Sequence, residues 1–186
     1  QECRIATEAL SEQIDRYANL IVRRGVAIKP GQQLLVRGPI ERADFVRRVV
    51  DKAYEAGSGP VTVVWEDDGV TRLTFENNGI DFFKTVPEWK RIQLDSLAEA
   101  GAAFLFLDGS DPMMLKGIDP EKPAAYGHAI NTQCLSYRNG MDFGKNVWCI
   151  AGVPVSKWAT TVYPDLSDAE AVYRLWLAIL ATARAD

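Results

Sequence analysis

The sequence predicts a three-layer α/β domain: a mostly parallel sheet of at least four strands flanked by helices. Three observations carry this. Stretches with apolar residues at three- and four-residue steps alternate with short apolar runs bounded by glycine and proline, the order that gives right-handed crossovers between parallel strands. The run over 102–107, Ala-Ala-Phe-Leu-Phe-Leu, is apolar without alternation, as a strand covered on both faces must be. With 186 residues, 47% of them hydrophobic and 25% charged, the chain is long enough for a single domain, 1–186, with a real core.

The elements follow in order. Leu10, Ile14, Tyr17, Ala18, Ile21 and Val22 predict a helix over 7–24, with Gly25 placed to close it in the left-handed conformation. Lys29-Pro30-Gly31 is a turn, and Leu34-Leu35-Val36 is a short strand halted by Gly38-Pro39. Phe45, Val46, Val49, Val50, Ala53 and Tyr54 share one stripe of a helix over 41–56. A second strand over 61–65 ends in Glu66-Asp67-Asp68. A helical stretch then runs to about 83, interrupted at Asn77-Asn78-Gly79. The next helix, over 87–100, directs Trp89, Ile92 and Leu97 inward, and Gly101 ends it. After the third strand come a weaker helix over 121–137 and a fourth strand over 147–151. Ser167 and Glu170 form a capping box behind Leu166. Val172, Leu175, Trp176, Ile179, Leu180 and Ala183 then give a final helix a stripe that docks on the sheet. There is no internal repeat and no low-complexity linker.

Bulk properties exclude several roles. A net charge of −4 disfavours a nucleic-acid partner. Arg23-Arg24 and Arg47-Arg48 lie in helical patterns beside acids and are solvated faces. Three scattered cysteines argue against a disulfide framework and for a reducing compartment. No apolar run approaches the ~18 residues of a membrane span, and no leader opens the chain, so a cytoplasmic location without a membrane partner is expected. The sequence opens on Gln1, not Met, which points to at least one trimmed end.

An open α/β sheet places ligands beyond the carboxyl ends of its strands. Arg37-Gly38-Pro39-Ile40-Glu41 offers either a carboxylate clamp or a tight turn in which Arg37 pairs with a local acid. Glu66-Asp67-Asp68 offers either cation ligands or a cap for the next helix. Asp108-Gly109-Ser110-Asp111-Pro112 divides the same way, with the turn favoured. There is no GxGxxG, GxxxxGK[ST], GxSxG or HExxH. His128 is the single histidine and has no neighbours that would complete a zinc site.

The stretch Trp148-Cys149-Ile150-Ala151-Gly152-Val153-Pro154-Val155-Ser156-Lys157-Trp158-Ala159 leads through Tyr163-Pro164-Asp165-Leu166-Ser167 into Glu170-Ala171-Val172 and Leu175-Trp176. It resembles the M29 metallo-aminopeptidases of the thermophilic aminopeptidase, PepS and AmpS type. Lys29-Pro30-Gly31, Val36-Arg37-Gly38, Val86-Pro87-Glu88-Trp89 and 115–122 agree with it. The resemblance implies the N-terminal α/β domain of a longer two-domain protein. That parent would be a two-metal enzyme (Zn, Co or Mn) removing N-terminal residues from short peptides, a homodimer at full length. Its metal ligands lie in the other half of such proteins, so no catalytic residue and no metal site transfers to this chain, which is expected to be inactive alone and to hold no cofactor. Arg37, Glu41 and Trp158 are the candidates for walling the substrate chamber. Two alternatives stay open: a free-standing small-molecule binding module using the Arg37 loop, and the N-terminal domain of an M29-like iron-dependent dioxygenase that opens hydroxypyridine rings. Trp148 and Trp158 are read as packing anchors on either side of a double turn made by Pro154 and Pro164. Pro154, Val155, Trp158 and Tyr163 are placed near the face that meets the other half, with Trp158 or Tyr163 more exposed than Trp148.

Overall fold

A computed structural model of the chain describes residues 2–185, with side chains from Leu10 onward. Strand β1 (Leu34–Pro39) lies between β2 (Val61–Glu66) and β3 (Ala103–Asp108), and β4 (Trp148–Gly152) extends the sheet beyond β3. All pairings are parallel, with Leu34 opposite Val61 and Ala103, and Phe104 opposite Trp148. The helices are α1 (Glu2–Leu20), α2 (Ala43–Glu55), α3 (Asp68–Asn77), the single turn α4 (Ile80–Phe83), α5 (Glu88–Glu99), α6 (Glu121–Gln133), α7 (Leu135–Asp142), α8 (Ser156–Val162) and α9 (Asp168–Ala183). The α/β prediction holds.

Strand alternation divides the interior into two cores. Leu34, Val36, Leu105, Leu107 and Ala151 pack with residues of α1, α2 and α9. Leu35, Phe104 and Phe106 pack with Ala98 of α5, Ala129 of α6 and Tyr137 of α7. The first core centres on three rings: Tyr17 stacks on Phe45 at 5.7 Å between centroids, and Trp176 meets Phe45 edge-on at 5.2 Å and Tyr17 at 6.4 Å. The predicted capping box is present at the start of α9.

The Tyr17 hydroxyl donates to the Gly152 carbonyl at 3.0 Å, tying α1 to the end of β4. Burial, and secondarily the neighbouring Cys149, push its pKa up to about 12. The folded chain therefore keeps a proton that the unfolded chain releases near pH 10, so stability falls as pH rises from about 10 to 12, by roughly 2–3 kcal/mol at the upper end. Tyr17→Phe should flatten this alkaline limb in denaturation profiles. An unchanged limb would show that Tyr17 does not set it.

Several sequence expectations are corrected. The helix over 7–24 is α1 followed by a π turn, Ile21–Gly25, and the left-handed residue is Ala27 (φ 45°), not Gly25. Gly25 is needed for space, since a Cβ there would lie 2.8 Å from Cys149 Sγ. β1 runs through Gly38 and Pro39 instead of stopping before them. Pro39, with no N–H, comes last, where it interrupts no further ladder bond. Tyr54 is exposed rather than on the buried stripe, its hydroxyl accepting from the Val61 amide at 3.3 Å.

Trp89 is 67% exposed and Ile92 also faces water, because α5 buries the stripe of Leu94, Leu97 and Ala98 instead. The helix over 121–137 breaks at the buried Cys134 (φ −100°, ψ 69°) into α6 and α7. The segment after Pro154 is a helix, α8, not a second turn. Trp148 is no anchor: it is 48% exposed. It shares the face of Phe104, which Tyr137 of α7 covers edge-on at 5.0 Å; neighbouring Trp148 is left open on the outermost strand.

Candidate functional site

The chain moves from β1 outward to β2, returns past β1 to β3, and moves outward again to β4. The loops after β1 and β3 therefore part, leaving the crevice where open α/β sheets bind ligands. Arg37 and Glu41 enter it from β1, Glu66 and Asp68 from β2, Asp108 and Asp111 from β3.

Arg37 Nε meets Glu66 Oε1 at 3.1 Å, and its guanidinium lies 4.7 Å above the Phe106 ring. Of the two readings of Arg37, the local ion pair is the one realised, and an incoming carboxylate would have to displace Glu66. Burial raises the Glu66 pKa against the pull of Arg37, and the charges of Asp68 and Asp108 add to the rise. Asp67 caps α3, accepting the Val70 amide at 3.0 Å, so the acidic run serves as a cap. Asp68 reaches across to accept the Asp111 amide at 2.6 Å. Its pKa is raised mainly by burial, in part offset by that amide. Asp111 also folds its own turn, accepting the Met113 amide at 2.8 Å. Lys90 donates to the Tyr126 hydroxyl at the side of this crevice.

Glu41 accepts from both the amide (2.7 Å) and the hydroxyl (2.8 Å) of Ser156 at the start of α8. Trp158 lies two residues along but does not join Arg37 and Glu41. It is half-buried against Ala159, Ala171 and Leu175 and lines a separate apolar groove of about 530 Å³ with Tyr17, Leu20, Ile21, Cys149 and Ile179. Tyr163 is likewise half-buried, while Pro154 and Val155 are buried. The expectation that Trp158 or Tyr163 would be more exposed than Trp148 is thus reversed, because α8 folds them against α9 while, among the described residues, no strand pairs with the outer edge of β4.

The sequence marks Glu66 only within its acidic run and not as the partner of Arg37, and it does not mark Ser156 as the partner of Glu41. The first follows only from β1–β2 register, the second from a contact spanning more than half the chain. Burial pushes both the Cys134 and Cys149 thiols up, so neither is primed as a nucleophile. His128 is exposed on α6. Among the described residues no three His, Cys, Asp or Glu side chains are placed to hold a metal ion. No described helix is long and apolar enough to cross a membrane.

Fold and site together define an α/β domain whose loops border a crevice and carry no complete ligand set or activated nucleophile among the described residues. The chain belongs to the M29 family of thermophilic metalloproteases, whose family model matches residues 10–186. It is 36% identical to Aminopeptidase 2 of Geobacillus stearothermophilus over 175 residues, covering 94% of this chain and 42% of that protein. It is 36% identical to aminopeptidase AmpS of Bacillus subtilis over 179 residues, covering 96% of this chain and 44% of that one. The solved structure of wild-type AmpT from Thermus thermophilus superimposes with a TM-score of 0.82 at 30% identity, over 91% of this chain and 43% of the other. The chain thus spans less than half the length of the relatives it matches.

Proposed function

We propose that this chain is the N-terminal domain of a longer two-domain metallo-aminopeptidase that removes N-terminal residues from short peptides in the cytoplasm. The coverage carries this reading: nearly all of the chain aligns, with less than half of each aminopeptidase. Two metal ions in such an enzyme supply a hydroxide nucleophile and polarise the scissile carbonyl. The described residues of this chain do not fit as their ligands, so no catalytic step is assigned to them.

The contribution of this half is to bound the substrate chamber with the crevice at the strand ends. Glu41 holds α8 in place through Ser156, and the Arg37–Glu66 pair over Phe106 gives a fixed, charged wall. The full-length gene product, assayed on aminoacyl substrates with Zn²⁺, Co²⁺ or Mn²⁺, should release the N-terminal residue. The 186-residue chain should show no turnover and no stoichiometric metal uptake by calorimetry. Metal-dependent turnover by this chain alone would overturn the proposal, as would a full-length product that opens hydroxypyridine rings and leaves peptides intact.

A further inference from the structure

The apolar groove of about 530 Å³ between α1, β4, α8 and α9 has no part in the crevice chemistry. Its rim is formed by the last two turns of α9, where Ala178, Thr182 and Ala183 line it together with Leu20 and Cys149. That helix is firmly ended. Arg184 adopts the left-handed conformation (φ 54°, ψ 41°), its amide bonding Ala181 and the next amide, of Ala185, bonding Leu180 at 2.9 Å.

This is the Schellman stop, here formed without glycine. A non-glycine residue is held there only where the surroundings determine the geometry. Those surroundings are visible: Ala185 is buried in the first core, and its carbonyl accepts from Arg16 Nε at 3.3 Å. The chain is therefore turned back at 184 and pinned against α1, at the edge of the groove.

We propose that the polypeptide following Asp186 in the full-length protein packs into this groove, so that the groove is the seat of the C-terminal half on this domain. The inference rests on the reading of the chain as one half of a longer protein. More than half of each relative's length lies outside the aligned part. A segment leaving from the rim meets the groove at an effective concentration on the order of millimolar, ahead of any second copy in dilute solution. Apolar lining from Leu20, Ile21, Trp158 and Ile179 selects an apolar stretch as occupant.

Cys149 is a reporter already in place, half-buried in the groove while Cys134 is buried elsewhere. In the full-length protein, alkylation by N-ethylmaleimide, read by peptide mass mapping, should be at least about tenfold slower at Cys149 than in the 186-residue chain, because access then needs local opening. Ala178→Arg or Thr182→Arg in the full-length protein, both at exposed helix positions, should restore the faster rate without loss of helical signal. Equal rates in the two proteins, with no effect of either arginine, would overturn the docking while leaving a longer, active peptidase intact. Protection that appears in the 186-residue chain as its concentration rises would assign the groove to a second copy and overturn it too. A native product no longer than this chain would overturn both the docking and the reading beneath it.

Discussion

Trp176→Ala is expected to lower folding stability by about 3–5 kcal/mol, the range for truncating a buried aromatic. Trp176 is only 4% exposed and touches both other rings of the first core, Tyr17 from α1 and Phe45 from α2. Its removal opens a void bordered by three helices, and none of the three can close it without leaving the sheet. Aromatic edge contacts add about 0.5–1.5 kcal/mol each beyond the area buried. Denaturant melts of the variant and the parent chain give the value directly. A loss below about 1 kcal/mol would mean that α9 is peripheral and its stripe only loosely seated. Because α9 also forms the rim at Thr182 and Ala183, the variant should raise Cys149 alkylation in the same experiment.

That stripe was legible because a helix reports its buried face through spacing alone. Leu175, Trp176 and Leu180 are all buried, as their steps of one, four and five imply. β3 was legible for a similar reason, since an unbroken apolar run has only one stable place in a layered fold. Trp148 was not. A strand's own residues say which faces it has, but not whether a neighbour lies beyond it, and β4 is outermost. Trp89 and Ile92 mislead because α5 carries two apolar stripes, and only packing against Leu35 and Phe104 decides between them.

The crevice was legible in part. Arg37 and Glu41 stand out from one loop, and pairing of Arg37 with an acid could be anticipated. That the acid is Glu66 depends on parallel register, and that Glu41 reaches Ser156 depends on α8, a helix hidden behind two prolines. Family resemblance supplied what spacing could not, because no GxGxxG, GxxxxGK[ST], GxSxG or HExxH spells out a reaction in this sequence.

Gly140→Ala should be destabilising in the parent chain and stabilising once Asn146 has been removed. In the interior of α7, glycine to alanine normally gains up to about 1 kcal/mol. Here a Cβ would lie 2.0 Å from Asn146 Oδ1 and 3.0 Å from its Cγ. Asn146 is the buried polar residue at the head of β4, and its side chain donates to the carbonyls of Ala98 at 3.1 Å and Ala102 at 2.8 Å. Its amide donates back to Gly140 at 2.8 Å. To admit the methyl group, Asn146 must turn away and give up both side-chain bonds, leaving a buried amide unsatisfied at about 1–3 kcal/mol for each lost partner. Gly140→Ala should therefore cost about 2–4 kcal/mol, and Asn146→Ala a similar amount for the same lost bonds. In the double variant the nearest remaining atom, Asn146 Cβ, is 3.7 Å away, so the helix gain returns and the two losses do not add. Denaturant melts of the four proteins decide it. Additive losses would show that the clash is relieved elsewhere and that Asn146 does not join α5, α7 and the turn before β3 at the root of β4. If they are joined there, every variant that frees Asn146 should also loosen β4 and speed the labelling of Cys149 beside it.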